Sequence, residues 1–452
     1  METKSPVARA ILVGIQLDGV DDAAHESSLL ELGRLVETLG YEVAGTISQK
    51  RDGIGGLTVL GQGKLAELAA ITGGTGVIGK WIAPKSSKAR ERFDGAGAAS
   101  QVATVSEPEA GAPARPKFVI VDHEISPSQA RNLENATGAQ VLDRTGVIVE
   151  IFHRHAHSRE AKLQVEMARL KYVAPRLRES VTGGGRQRGV GAGETNLDLD
   201  RRSIRDRLAE LKDQLEQVQR DNDQRRSARS DQLRVALVGY TNAGKSSLMR
   251  ALTGSEVLVA DQLFATLDTT VRALKPETKP RVLVSDTVGF IKQLPHDLVA
   301  SFRSTLDEAL EASLLLFVVD ASDPNYQAQL EVSRTVLHEI GADIVPSRLL
   351  LNKIDRVSDD DRVTLLARHP EAILLSSKST SDVAALHETI VAFFEAAMVE
   401  AELILPYAKQ SLLADIYDNV RVLSEDFDTD GRILKVRGLE NAIAKLQRSL
   451  SA

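Results

Sequence analysis

The chain has 452 residues, 42% hydrophobic and 26% charged, which predicts folded soluble domains, about three by length, and excludes wholesale disorder. It has no cysteine, which excludes disulfides, zinc–thiolate sites, iron–sulfur clusters and thiol nucleophiles. A net charge of -7 excludes coating of nucleic acid by bulk charge while allowing a local basic patch, and no apolar run approaches the roughly 18–20 residues of a membrane span.

The N-terminus lacks the apolar core and cleavage site of a signal peptide, so a cytoplasmic protein is expected, and the acceptor-like Asn135-Ala136-Thr137 reads as plain surface sequence. Residues 11–15 read as a buried strand. Residues 27–39 read as a helix, with Leu29, Leu30, Leu32, Leu35 and Val36 near helical spacing, and 41–47 as a second strand. Gly61-Gln62-Gly63-Lys64 reads as a structural turn, its other reading being a weak ATP-binding candidate. Residues 84–117, rich in Ala, Gly, Ser and Pro, read as a mobile insertion. Phe118–Val121 is the next strand, and Ser126-Pro127 has the cap and first-turn proline that open a helix. His153, His155 and His157 alternate as on a polar strand edge, with no carboxylates in register for a metal site. Residues 1–158 are thus expected to form an α/β subdomain.

A helical hairpin is expected over 159–232. Leu163, Met167, Leu170, Ala174 and Leu177 step by three and four, as do Ile204, Leu208, Leu211, Leu215 and Val218, giving each helix one narrow apolar stripe. Pro175 is expected to bend or end the first helix. The glycine-rich break at 183–193 cannot be helix or strand interior. Residues 162–188 hold seven Lys/Arg against two Asp/Glu, net +5 in an otherwise acidic chain. That fits either a solvated hairpin tip or an arm that touches RNA phosphates and bases.

Over 233–398, short apolar runs at 235–238, 282–285, 314–319, 349–351 and 373–375 alternate with helical segments. Runs buried on both faces predict a mainly parallel sheet covered by helices. Residues 399–452 read as a small α+β domain, with 431–436 as its best strand.

The third segment carries Gly239-Tyr240-Thr241-Asn242-Ala243-Gly244-Lys245-Ser246, a full G-x-x-x-x-G-K-S after a strand and before a helix. Its backbone N–H groups can wrap phosphates at a helix N-terminus, with Lys245 bridging the β- and γ-phosphates and the Ser246 hydroxyl on Mg²⁺. Asp286-Thr287-Val288-Gly289 places Asp286 to hold the magnesium shell through water and the Gly289 N–H to meet the γ-phosphate. In Asn352-Lys353-Ile354-Asp355 the Asp355 carboxylate can accept two N–H bonds from guanine that adenine does not offer. Ser376-Ser377-Lys378 is a weaker signal for support of the base. Between them lies Phe264-Ala265-Thr266-Leu267-Asp268-Thr269-Thr270, one of whose threonines should ligate Mg²⁺; spacing does not choose among Thr266, Thr269 and Thr270.

Together these residues resemble the HflX family of ribosome-associated GTPases. The likeness includes Phe290, Leu294-Pro295-His296-Asp297-Leu298-Val299, Asp143-Arg144-Thr145-Gly146, His157-Ser158-Arg159-Glu160, Lys162 to Glu166, Gly193-Glu194-Thr195 and Asp200-Arg201-Arg202. The resemblance implies an N-terminal α/β subdomain, a helical hairpin, a P-loop GTPase domain and a small C-terminal domain. It also implies GTP hydrolysis to GDP, binding to the large ribosomal subunit and its rRNA through the hairpin and its Gly/Arg-rich tip, and splitting or rescue of stalled ribosomes under stress. Thr266 becomes the magnesium threonine, and Lys245, Thr266, Gly289 and Asn242 the expected catalytic groups. Asn242 stands where related GTPases with an apolar residue after D-x-x-G hold a potassium ion; an ordinary loop hydrogen bond is its other reading. A monomer is expected.

Two features depart from the family pattern: the tip is shorter and more irregular, and the 84–117 insertion is longer. Phe290 follows the D-x-x-G glycine where many GTPases place a water-orienting glutamine. Intrinsic hydrolysis is therefore expected to be slow, roughly 10⁻⁴–10⁻² s⁻¹. The competing readings are a switch whose bound GTP, and not its turnover, matters, and an RNA-remodelling or RNA-modification GTPase.

Overall fold

The computed structural model describes residues 7–78, 115–180, 196–227, 232–255, 263–264, 270–292, 308–429 and 431–451. The glycine-rich tip and all but the last three residues of the 84–117 insertion lie outside them. The chain divides into two compact units: residues 1–151 with 169–207, and 152–168 with 208–452. Among the described residues no helix is long and apolar enough to cross a membrane.

The first unit is built on a parallel sheet of order β2-β1-β3-β4, from β1 (Arg9–Leu17), β2 (Glu42–Arg51), β3 (Phe118–Val121) and β4 (Gln140–Asp143). Helix α1 (Asp22–Thr38) starts earlier than its apolar spacing suggests, because Asp21 caps it by accepting the Ala24 N–H at 2.6 Å. Leu32, Leu35 and Val36 are buried as predicted, but Leu30 is 64% exposed. Gly61 proves to be the N-cap of α2 (Gln62–Thr72), its N–H held by the Gln49 side chain at 2.8 Å. Ser126 and Gln129 form a capping box on α3 (Pro127–Thr137), with proline in the first turn. That helix buries Ala136 and Thr137, so the acceptor-like triplet is surface only at Asn135.

A second correction concerns the histidines. His153 and His155 end α4 (Arg144–His155) and lie on no strand. Val147, Ile148, Ile151 and Phe152 are buried at helical spacing, and this larger apolar pattern outweighs the alternation of three polar rings. Helices α5 (Arg159–Ser180) and α6 (Asn196–Ser227) cover the residues read as helical on either side of the glycine-rich break. The α6 stripe is legible in burial, with Leu211 fully buried and Ile204, Leu208, Leu215 and Val218 half-buried. Pro175 does not end α5, which runs on to Ser180. The residues around it are anchored: the Tyr172 hydroxyl donates to Asp143 at 2.8 Å and the Arg176 guanidinium to Asp143 at 2.6 Å. These contacts offset the hydrogen bond that proline removes.

The second unit carries a six-stranded sheet of order β10-β9-β8-β5-β7-β6. Its elements are β5 (Leu233–Val238), α7 (Lys245–Thr253), β6 (Thr270–Ala273), β7 (Val282–Asp286), β8 (Leu314–Asp320), α8 (Tyr326–Glu339), β9 (Ser347–Asn352), α9 (Asp359–Arg368), β10 (Ile373–Leu374) and α10 (Thr380–Glu395). All pairings are parallel except that of the edge strand β6 with β7. Val235 and Leu237 of β5, Val284 of β7, and Leu316 and Val318 of β8 pack with Leu248 and Met249 of α7 and Leu386 and Ile390 of α10 in one core. The mainly parallel P-loop sheet predicted from the buried runs is therefore observed. Beyond it, β11 (Val399–Pro406), β12 (Arg421–Phe427) and β13 (Gly431–Gly438) form an antiparallel sheet of order β11-β13-β12 with α11 (Leu413–Asn419) and α12 (Glu440–Ser451). Leu403, Leu405, Leu434 and Val436 pack with Ile416 and Ile443 as its core.

Candidate nucleotide site

Parallel α/β sheets collect ligand-binding groups where the strands end. Here β5, β7, β8, β9 and β10 deliver Gly239, Asp286, Asp320, Asn352 and Ser376 to one end of the second unit's sheet. The chain leaves β5 through Gly239 at φ +147°, where a Cβ would strike the Val318 carbonyl oxygen of the neighbouring strand. Gly244, at φ +97°, would likewise run into the Asn352 side chain. Both positions need glycine, and between them the loop turns tightly enough to point its N–H groups inward at the head of α7.

Lys245 opens α7 and is 6% exposed. Its Nζ donates to the Gly239 carbonyl at 3.0 Å and the Tyr240 carbonyl at 2.8 Å. Burial lowers its pKa to about 8, against the opposing pull of the Asp286 carboxylate. A triphosphate would restore the charged form, because its negative charge replaces the lost hydration. The Ser246 hydroxyl donates to Asp286 Oδ2 at 2.7 Å, and Asp286 is fully buried at the end of β7. This pair of hard oxygen groups beside a phosphate cradle fits Mg²⁺, with Ser246 as direct ligand and Asp286 acting through water.

The next residues are drawn against the phosphate loop. The Thr287 hydroxyl donates to the Leu237 carbonyl at 2.7 Å, fastening β7 to β5, and Val288 is buried. A Cβ on Gly289 would lie 2.8 Å from Thr241 Cα and 3.0 Å from Lys245 Nζ, so the loop and the lysine approach bare backbone there. Phe290 forms a parallel bridge with Tyr240, accepting from the Thr241 N–H at 2.8 Å and donating to the Gly239 carbonyl at 3.1 Å. Its ring is 2% exposed. The Tyr240 hydroxyl accepts from the Lys292 N–H at 2.7 Å, a third stitch. The motifs gave no sign of this strap, since two of its bonds are backbone to backbone.

At the other end of the loop, the Asn352 side chain donates to the Ala243 carbonyl at 2.9 Å and accepts from the Ser377 N–H at 3.1 Å. Lys353, at φ +60°, reaches the Asn242 carbonyl at 2.7 Å and Asp320 at 2.8 Å. Asn242 itself sits at φ +59°. The Ile354 N–H meets the Leu375 carbonyl, and Asp355 is exposed. Asp355 accepts from the Ser376 hydroxyl at 2.7 Å, which holds its carboxyl below the usual carboxylate range and keeps it ionised. Ser376 is steadied in turn by Asp382, which accepts its N–H at 2.8 Å, while the Lys378 N–H donates to the Ser376 hydroxyl at 3.3 Å. The structure thus brings the loop, Asp286 to Gly289, Asn352 to Asp355 and Ser376 to Lys378 together. Sequence reasoning missed Asp320 and Asp382. Asp320 had a signal in its place at a strand end, and Asp382 in the helix-cap spacing Ser379-x-x-Asp382.

Of the threonine segment, Phe264 is buried at φ +56° and packs edge-to-face on Phe152 with ring centroids 4.6 Å apart. Thr270 opens β6 opposite Asp286. Ala265, Thr266, Leu267, Asp268 and Thr269 lie outside the described residues.

Three family models match in succession: "GTP-binding GTPase N-terminal" over 26–78 and 70–153, "GTP-binding GTPase Middle Region" over 155–229, and "50S ribosome-binding GTPase" over 234–353. The chain is 72% identical over 452 residues to GTPase HflX of Gluconacetobacter diazotrophicus, covering all of both chains. It is 38% identical over 384 residues to GTPase HflX of Escherichia coli K12, covering 82% of this chain and 89% of that one. A GDP complex of a GTP-binding protein from Sulfolobus solfataricus overlaps 85% of this chain and 98% of that one, at 22% identity and a TM-score of 0.44.

Proposed function

The chain belongs to the HflX family of GTPases, and from that premise we propose that its GTP cycle is worked out on the large ribosomal subunit, where it splits or rescues stalled ribosomes under stress in the cytoplasm. The protein is a GTP-hydrolysing enzyme. The observation that carries the wider reading is the pairing of two sites in one chain: a guanine pocket whose base end is tied to its phosphate loop, and a segment at 162–188 of net +5. The first selects the nucleotide; the second offers charge to rRNA phosphates in a chain of net -7.

Within the pocket the loop N–H groups and Lys245 hold the β- and γ-phosphates, the Gly289 N–H meets the γ-phosphate, and Asp355 selects guanine. Ser246 and Thr266 would hold magnesium, which would neutralise negative charge on the nucleotide. Asn242 is the residue that would take potassium beside the phosphates. The buried Phe290 ring orients no water, which supports slow intrinsic turnover; the large subunit would speed it by acting on the segments around Thr266 and Phe290.

Co-sedimentation with purified large subunits tests the reading. The GTP-loaded protein should pellet more than the GDP-loaded protein, and pelleting should fall as salt rises, because phosphate contacts release counterions. Identical pelleting with either nucleotide would overturn it.

A further inference from the structure

Thr241 stands third in the phosphate loop, and neither base selection nor magnesium binding uses its side chain. The residue is 6% exposed, and its hydroxyl, shielded from water, has no hydrogen-bond partner from the protein among the described residues. A buried hydroxyl without a partner is costly, and in a native structure it calls for a physical reason. Loop mobility supplies none, since the backbone is fixed here. The Thr241 N–H is bound to the Phe290 carbonyl at 2.8 Å, and Tyr240 on one side bridges to Phe290.

The surroundings of Thr241 say what the missing partner is. Its Cα and Cγ2 stand 2.8 Å from where a Cβ on Gly289 would be, and Lys245 Nζ stands 3.0 Å from the same point. In the proposed function Gly289 and Lys245 meet the terminal phosphate, which puts Thr241 at that end of the pocket. The residue after Gly289, whose side chain could orient water, is a phenylalanine with its ring buried. A threonine hydroxyl can both donate and accept, which a group placed between a phosphoryl oxygen and a water needs.

We propose that Thr241 is a catalytic residue of GTP hydrolysis, its hydroxyl accepting a hydrogen bond from the attacking water and donating one to a γ-phosphoryl oxygen. In the step it serves, the water oxygen bonds to the γ-phosphorus. The bond from that phosphorus to the β–γ bridging oxygen breaks, and its electron pair leaves with GDP. A water proton passes to a γ-phosphoryl oxygen, giving inorganic phosphate. Thr241 keeps its own proton throughout and acts by position and polarity. The inference rests on GTP turnover in this pocket and is independent of the ribosome.

Thr241→Val keeps the volume and removes the hydroxyl; Thr241→Ser keeps the hydroxyl. In the full chain, single-turnover hydrolysis by T241V should fall about 100-fold, whereas T241S keeps most of the rate. GDP affinity should be unchanged in both. The melting temperature of T241V without nucleotide should equal or exceed that of wild type, because no protein partner is lost. T241V should also fail to form the GDP–aluminium fluoride complex that wild type and T241S form. Hydrolysis by T241V at the wild-type rate would overturn the proposal. So would a joint loss of rate and GDP affinity in both variants, which marks a packing role. A wild-type protein that binds GTP without turning it over would overturn the GTPase reading itself, and the inference with it.

Discussion

At the scale of single residues, Asp355 shows how much of the proposed base site lies outside its own motif. Its carboxylate is aimed by the Ser376 hydroxyl, and Ser376 is steadied by Asp382 on α10. Asp355→Asn turns two acceptors into one acceptor and one donor. GTP should then weaken by about 1.5–3 kcal/mol for the lost charge-assisted bond. Xanthosine triphosphate should bind better, because its second carbonyl accepts from the new amide. Competition binding with the two nucleotides reads the switch, and undiminished guanosine selectivity in D355N would move base recognition elsewhere. The glycines at 239 and 244 and the carboxylates at 286 and 355 were legible because spacing at strand ends carries their chemistry. The left-handed backbones of Asn242, Phe264 and Lys353 were not, since any non-glycine residue there looks like its neighbours in a list of letters.

At the scale of elements, periodicity served where one pattern dominated and misled where two overlapped. Strands β1, β3, β5 and β8 are continuous apolar runs and were read directly. Edge strand β6, four residues of TVRA, has no such run and was missed. In α4 the histidine alternation concealed a buried helical face. In α5 the proline signals a bend or an end, and long-range contacts carry the helix past it. Asp143 is fully buried and accepts from Tyr172, Arg176, and the backbone N–H groups of Gly146 and Ile125. Burial and the Asp143 charge push the Tyr172 phenol above its ordinary range, so it stays protonated and keeps donating. Gly146 makes room for that ring, since a Cβ there would strike the Tyr172 hydroxyl. Arg176→Met removes the cation from a buried carboxylate and should destabilise the first unit by about 3–5 kcal/mol, toward the lower end because three other donors stay. Hydrogen exchange should show the loss in β4 and the second half of α5, with GDP affinity intact. Unchanged protection there would show that Asp143 needs no counter-charge.

At the scale of the whole molecule, the boundaries between the two units fall inside helices, within α4 after residue 151 and within α5 and α6. Residues 159–168 of α5 belong to the nucleotide-binding unit and 169–180 to the first unit, and α6 passes from one to the other after residue 207. Between α5 and α6 in sequence lies the glycine-rich stretch 183–193, in which Arg186 and Arg188 stand among glycines. In a chain of net -7, long-range attraction to RNA depends on such local charge. Deleting 183–193 removes no residue of the nucleotide site, so GTP and GDP affinities and basal hydrolysis should match those of the full chain. Two positive charges are lost, so the dependence of subunit binding on salt should flatten by about one to two units of log–log slope. If the arm is what the nucleotide state deploys against rRNA, the shortened protein should bind subunits weakly and split no ribosomes. A deletion variant that still splits them would place the working contact elsewhere in the chain, and would leave the charge of 162–188 as a solvated surface.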